Sequence, residues 1–232
     1  SSAHVRLKLA TELMKKGEIL QAVDQAESAI QIDPKNVEGH LLLGSLYSSS
    51  KLYDKSLNEY REVAKLDPDN VEAILYIGAL LAEQKKYAEA VTHFKKSASK
   101  SEKQSHLFYY YLGRVELEQK HNSDAEDAFK KSIEGKPDFI EAVLALGYLY
   151  EQNGKIEKAI THYRQFQERY GPSSKVATVL GRIYMDRDQF KEAYAQFEII
   201  EDQETDNLNV KVKMALILIE EKKFEQAISK LR

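Results

Sequence analysis

The chain has 232 residues, 43% of them hydrophobic and 31% charged, with 34 basic against 37 acidic side chains and no cysteine. A formal net charge of -3 argues against a nucleic-acid binder, which needs a basic surface. The missing cysteines exclude disulfides, thiolate metal sites and cysteine nucleophiles, and no apolar run reaches the roughly 20 residues that span a bilayer.

Only 4 prolines and 10 glycines punctuate the chain, so few positions can break a helix and an all-α chain is expected. Small residues preceded by an apolar one recur along it: Leu9-Ala10, Leu43-Gly44, Ile77-Gly78, Leu112-Gly113, Leu146-Gly147, Leu180-Gly181 and Met214-Ala215. Their spacing is 34 residues, with a single step of 35 before Gly113. That period marks a solenoid of helix pairs. Within one period, 71–98, apolar residues recur at three- and four-residue steps on both sides of the polar turn "EQKK". The pattern predicts two amphipathic helices in antiparallel contact.

The joints follow in order. "IDPKN" at 32–36 and "LDPDN" at 66–70 end one pair and start the next, because proline restricts the residue before it and suits a helix's first turn. "SASKSEKQSH" at 97–106 has no proline and carries the extra residue, so a looser joint is expected there. "KHNSD" at 120–124 puts Asn122 where the other periods have Ile19, Tyr53, Tyr87, Ile156, Phe190 and Phe224, and a less anchored turn is expected. The last complete predicted helix, "VKVKMALILIEE", is strongly apolar, and with both chain ends inside a predicted repeat the sequence reads as part of a longer chain.

The segments "LLLGSLY" (41–47), "YYLGRVE" (110–116), "LALGYLY" (144–150) and "TVLGRIY" (178–184) resemble the first helix of the tetratricopeptide (TPR) repeat. With the glycine counted as position 8, position 20 holds Ala22, Ser56, Ala90, Ala125, Ala159, Ala193 and Ala227, and position 24 holds Ala26, Tyr60, Phe94, Phe129, Tyr163, Phe197 and Leu231. Pro34, Pro68 and Pro137 stand at position 32. The family's position-4 tryptophan is missing; His40, Ile74, Tyr109 and Val143 stand there. The resemblance implies a right-handed superhelical solenoid of antiparallel helix pairs. It would form one array over 3–232, with repeats starting near 3, 37, 71, 106, 140, 174 and 208 and the last one truncated.

By the same resemblance, first-helix positions 2, 5, 9, 12 and 13 line a concave groove. Position 5 supplies Leu41, Leu75, Tyr110 and Leu144, and position 9 supplies Ala79, Arg114, Tyr148 and Arg182. An apolar, small-residue wall is thus expected before an Arg–Tyr cluster. The pair suits a peptide with apolar anchors and acidic residues, since arginine grips carboxylates and tyrosine offers rigid contact area. Two blander readings stand beside this one. The leucines can pack against the next repeat, and Arg114 and Arg182 can pair with Glu118 and Asp186, four residues on. Positions 5 and 9 lack the asparagines and lysines of the clamp that grips chaperone tails, and position 6 lacks an asparagine ladder.

Nothing points to catalysis, a cofactor or a metal. The six histidines show no H-x-x-x-H or H-E-x-x-H spacing, and there is no phosphate-cradling glycine loop or G-x-S-x-G elbow. His93 and His162 read as partly exposed second-helix residues. The expected function is a protein–protein interaction scaffold that takes a peptide or partner segment in its groove. Three alternatives are a bacterial envelope or pilus-assembly lipoprotein, a regulatory or targeting domain of a larger enzyme, and an array that self-associates through an uncapped C-terminal end at Leu216, Ile217 and Ile219. Cytoplasm fits the composition, as does a bacterial periplasm or outer-membrane lipoprotein.

Overall fold

The computed structural model describes residues 2–231 and contains, among these, fourteen helices and no strand. The helices are α1 (Ala3–Lys15), α2 (Ile19–Ile32), α3 (Val37–Ser49), α4 (Tyr53–Leu66), α5 (Val71–Glu83), α6 (Tyr87–Lys100), α7 (Ser105–Glu118), α8 (Asn122–Gly135), α9 (Ile140–Gln152), α10 (Ile156–Tyr170), α11 (Ser174–Met185), α12 (Phe190–Gln203), α13 (Leu208–Glu220) and α14 (Phe224–Leu231). They pair in sequence, odd with even, as the period requires. The chain forms two compact units that divide between Pro137 and Asp138, the first holding α1 to α8 and the second α9 to α14.

The turn inside every pair has one backbone design. The residue at position 15 adopts the left-handed conformation in all seven repeats: Gly17, Lys51, Lys85, Lys120, Gly154, Asp188 and Lys222. The following N–H then reaches back to the carbonyl of position 11, as in Leu52 to Tyr47 at 2.8 Å and His121 to Glu116 at 2.9 Å. This is a Schellman closure of the first helix. Five of the seven positions hold a residue with a Cβ, which pays a steric penalty in that conformation. Lys85→Gly is therefore expected to stabilise the protein by about 0.5–1 kcal/mol, read as a shift in the urea midpoint without a change in slope.

Three of the joints between pairs, those before α3, α5 and α13, are capped by an asparagine side chain. Asn36 accepts from the Gly39 N–H at 2.9 Å and Asn70 from the Ala73 N–H at 3.0 Å. Each asparagine is in turn held by the aspartate before the proline, Asp33 at 3.1 Å and Asp67 at 3.0 Å. Asn207 does the same for α13 without a proline, braced by Glu204 at 2.8 Å. The 101–104 joint has no such cap on α7; the Ser101 hydroxyl donates to Gln104 at 2.7 Å instead. At the Asn122 turn the backbone closure is as complete as elsewhere, so the missing anchor costs side-chain contact, not backbone order.

The core is built on the register of positions 8, 20 and 24. Phe94, Phe129, Tyr60, Tyr163 and Phe197 are all essentially inaccessible to solvent. Each lies over the position-8 glycine of its own repeat. A Cβ on Gly113 would come within 2.6 Å of the Phe129 ring, and one on Gly181 within 2.7 Å of Phe197; Gly78 and Gly147 leave still less room. The first repeat inverts the sizes, with buried Ala10 facing its half of the pair and buried Ala26 at position 24.

Position 6 links neighbouring repeats in the first unit. Tyr76 stacks on Tyr60 of the repeat before it, 4.8 Å between centroids and 11° between planes, and Tyr111 stacks on Phe94 at 5.9 Å and 22°. The three tyrosines of α7 consequently diverge by helical geometry. Tyr111 reaches back to Phe94, Tyr110 leans on Phe129 at 6.1 Å, and the Lys131 ammonium sits 5.6 Å from the Tyr109 ring.

His93 and His162 stitch second helices to first helices. Their Nε2 atoms bond to the carbonyls of Ile74 at 2.8 Å and Val143 at 3.0 Å. Burial holds both imidazoles below the ordinary value of 6.5, outweighing the backbone hydrogen bond that works the other way. The folded state therefore binds fewer protons than the unfolded chain. Stability is complete above the unfolded value and falls as pH drops from there toward the lowered folded value. Thermal unfolding is expected to show a Tm decline as pH falls below about 6.5 that His93→Gln and His162→Gln together flatten.

Candidate protein-binding site

The first helices α5 and α7 bound a cleft in the first unit. It has a volume of about 200 Å³. Its base is the Phe94 ring of α6, its α5 wall is Ala79 and Ala82, and its α7 wall is Tyr111, Arg114 and Val115. The two alanines create the space, because any longer side chain at positions 9 and 12 of that repeat would fill it. Glu83 and Glu118 stand at the rim, and each accepts from a second-helix tyrosine: Tyr53 at 3.4 Å and Tyr87 at 3.0 Å.

Arg114 is the unusual member. It is exposed, its guanidinium carbon lies 5.5 Å from the Tyr111 centroid and 5.9 Å from that of Tyr110, and no carboxylate among the described residues pairs with it. Glu118, its expected partner four residues on, is occupied by Tyr87. The Arg114 guanidinium thus rests against two rings and makes no ion pair among the described residues.

The other sequence candidates divide. Tyr110 sits beside Arg114, half-buried. Leu41 and Leu75 are partly buried and pack against the core around Tyr60 and Phe94, which follows the blander reading for both. In the second unit Tyr148 is half exposed and Leu144 is half-buried, but Arg182 is committed: it binds Glu151 at 2.5 Å and reaches Asp186 at 3.5 Å. Of the three residues expected on the C-terminal face, Leu216 and Ile219 are exposed. Ile217 is fully buried and is corrected to a core residue, because its helical phase points it inward with Met214 and Leu218. Glu83 and Glu118 stand at position 13, one of the expected groove positions, whereas Tyr111 at position 6 and Val115 at position 10 lie outside the expected set.

The tetratricopeptide repeat family profile matches residues 45–105, 110–175 and 144–207, more than half of the chain. The chain belongs to the tetratricopeptide repeat family. TPR proteins bind protein partners and are generally scaffolds without catalytic activity, and this chain is a protein-interaction scaffold of that kind. No curated protein matches the sequence. Among solved structures it is similar to PilW, a widely conserved type IV pilus biogenesis factor, at 21% identity and a TM-score of 0.63 over 93% of this chain and 98% of that one. It is also similar to pilF of Pseudomonas aeruginosa, at 19% identity and 0.61 over 94% and 97%. MamA matches at 24% identity and 0.56, over 68% of this chain and 92% of that one. At these identities the likeness is one of TPR fold. Among the described residues no helix is long and apolar enough to cross a membrane.

Proposed function

We propose that this TPR scaffold recognises a partner's peptide segment on the α5–α7 face, with an apolar side chain in the Ala79–Phe94 cleft and an adjacent carboxylate on Arg114. The observation that supports this reading most is the pairing of a cleft floored by Ala79, Ala82 and Phe94 with a guanidinium in its wall that makes no ion pair among the described residues. The cleft is large enough for one aliphatic or aromatic side chain, the usual anchor of a peptide in a groove. Arg114 adds a fixed charge whose planar fork prefers a carboxylate. The rim carboxylates Glu83 and Glu118, already bonded to tyrosines, favour a polar or basic residue on the peptide's far side.

A peptide-display selection on the 232-residue chain tests the reading. Enriched peptides are expected to share an apolar residue next to Asp or Glu, and to lose binding to the Arg114→Glu protein while that protein keeps the wild-type helical spectrum. Selected peptides without an acidic position, or binding that is indifferent to Arg114→Glu, would remove this face as the recognition element.

A further inference from the structure

Away from the α5–α7 cleft, the fourth repeat departs from its siblings in one place, and both departures concern the same turn. Position 11, whose backbone carbonyl closes the Schellman turn, carries Leu13, Tyr47, Leu81, Tyr150, Tyr184 and Leu218 in the other six repeats, but Glu116 here. Position 17, which carries an apolar or aromatic anchor in those six, is Asn122. The second and third repeats use that anchor as a cross-link, Tyr53 to Glu83 and Tyr87 to Glu118; the fourth repeat has no tyrosine to offer.

What replaces the apolar pair is a set of donors. The Glu116 side chain is only 7% exposed, an ionisable group buried where its counterparts are hydrocarbon or phenol. Its carboxylate meets His121 Nδ1 at 3.0 Å and Gln119 at 3.4 Å, and Asp124 joins from the first turn of α8, with one ligand atom from each of Glu116, His121 and Asp124 lying within 4.8 Å of the others. It is the only such trio of histidine, cysteine or acidic residues among the described residues. Glu116 and Asp124 also line a cavity of about 190 Å³, shared with Asp127, Lys95 and Lys131, and the trio opens on that space. A buried carboxylate whose partners are a half-exposed imidazole and a long amide contact is only partly compensated. A cation between the three would compensate it.

We propose that Glu116, His121 and Asp124 form a binding site for a first-row divalent transition metal, with zinc as its natural probe. One imidazole and two carboxylates are a three-ligand set that leaves a position for water, and the imidazole selects zinc-like ions over magnesium or calcium. Tetrahedral ligands about 2.0–2.1 Å from zinc lie roughly 3.3 Å from one another, which the two exposed members can reach by rotation about their side-chain bonds. His121 and Asp124 flank the α7–α8 turn, and Glu116 is buried in α7. The ion would clamp the turn in the one repeat that has no apolar anchor there.

Calorimetry of the untagged chain with zinc chloride tests the site, with magnesium chloride as the control ion. One zinc per chain is expected, no magnesium heat, and a Tm that rises with zinc concentration. His121→Ala and Asp124→Asn should each weaken zinc by roughly tenfold or more. Glu116→Leu, which installs the residue of three sibling repeats, should keep the fold, raise Tm in a chelating buffer and abolish the zinc response. Absence of a saturable zinc heat overturns the proposal. So does zinc binding that persists undiminished in His121→Ala or in Glu116→Leu.

Discussion

Phe94→Ala is expected to destabilise the protein by about 3–5 kcal/mol, the range for truncating a fully buried aromatic ring. The ring fills the hollow over Gly78 and also carries Tyr111 of the following repeat, so its loss opens a cavity within one repeat and removes a stack between two. Gly78→Ala is expected to destabilise as well, although alanine gains about 1 kcal/mol over glycine in helix propensity. The added methyl collides with the Phe94 ring, which is 0% exposed and held against the Tyr111 ring. Overpacking of this kind costs about 3 kcal/mol at the upper end of its range, which exceeds the propensity gain. The decisive measurement is the double mutant. With the ring gone, the methyl of Gly78→Ala occupies vacated space, so the two changes together should cost less than their sum by more than about 1 kcal/mol. The first repeat already uses that combination, Ala10 with Ala26. Additive costs in urea unfolding would mean that the glycine and the ring do not share one hollow.

Arg114→Glu is expected to weaken a peptide chosen for its apolar–acidic pair by about 30- to 1000-fold, equivalent to the roughly 2–4 kcal/mol of a hot-spot arginine. Ala79→Phe attacks the same site differently. Ala79 is exposed, so a ring there leaves the core alone but occupies the cleft, and the loss of one apolar anchor corresponds to about a tenfold to hundredfold weakening. Neither change should move the urea midpoint. Arg182→Ala serves as the comparison. Its guanidinium is already bonded to Glu151 and Asp186, so removing it should leave peptide affinity within about threefold. Fluorescence anisotropy with the labelled peptide separates the cases. Equal losses from Arg114→Glu and Arg182→Ala would place recognition beyond the α5–α7 cleft.

The fold was legible because its determinants are local and repeated. A small residue at position 8, another at position 20 and a ring at position 24 recur at one period, and helical geometry alone brings position 24 over position 8 within each pair. The Asp–Pro–x–Asn joints were readable for the same reason: Asp33, Asn36, Asp67 and Asn70 act across three residues. The lysines in the left-handed conformation at position 15 carried no such signal, since only two of the seven turns show glycine there.

Which arginine stays available was decided by contacts between repeats. Arg114 and Arg182 share position 9, and both have an acid four residues on, so the sequence read alone treats them alike. The acid that matters stands at position 12 of the preceding repeat. For Arg182 that residue is Glu151, which captures it; for Arg114 it is Ala82, which leaves the guanidinium unpaired and opens the cleft beside it. Leu41 and Leu75 likewise pack partly against the core that neighbouring helices build. The amino-acid order thus determined the repeat, its register and its turns, because these depend on residues a few positions apart. The tertiary structure decided which charges and which apolar faces remain unsatisfied, because that depends on partners a whole repeat away.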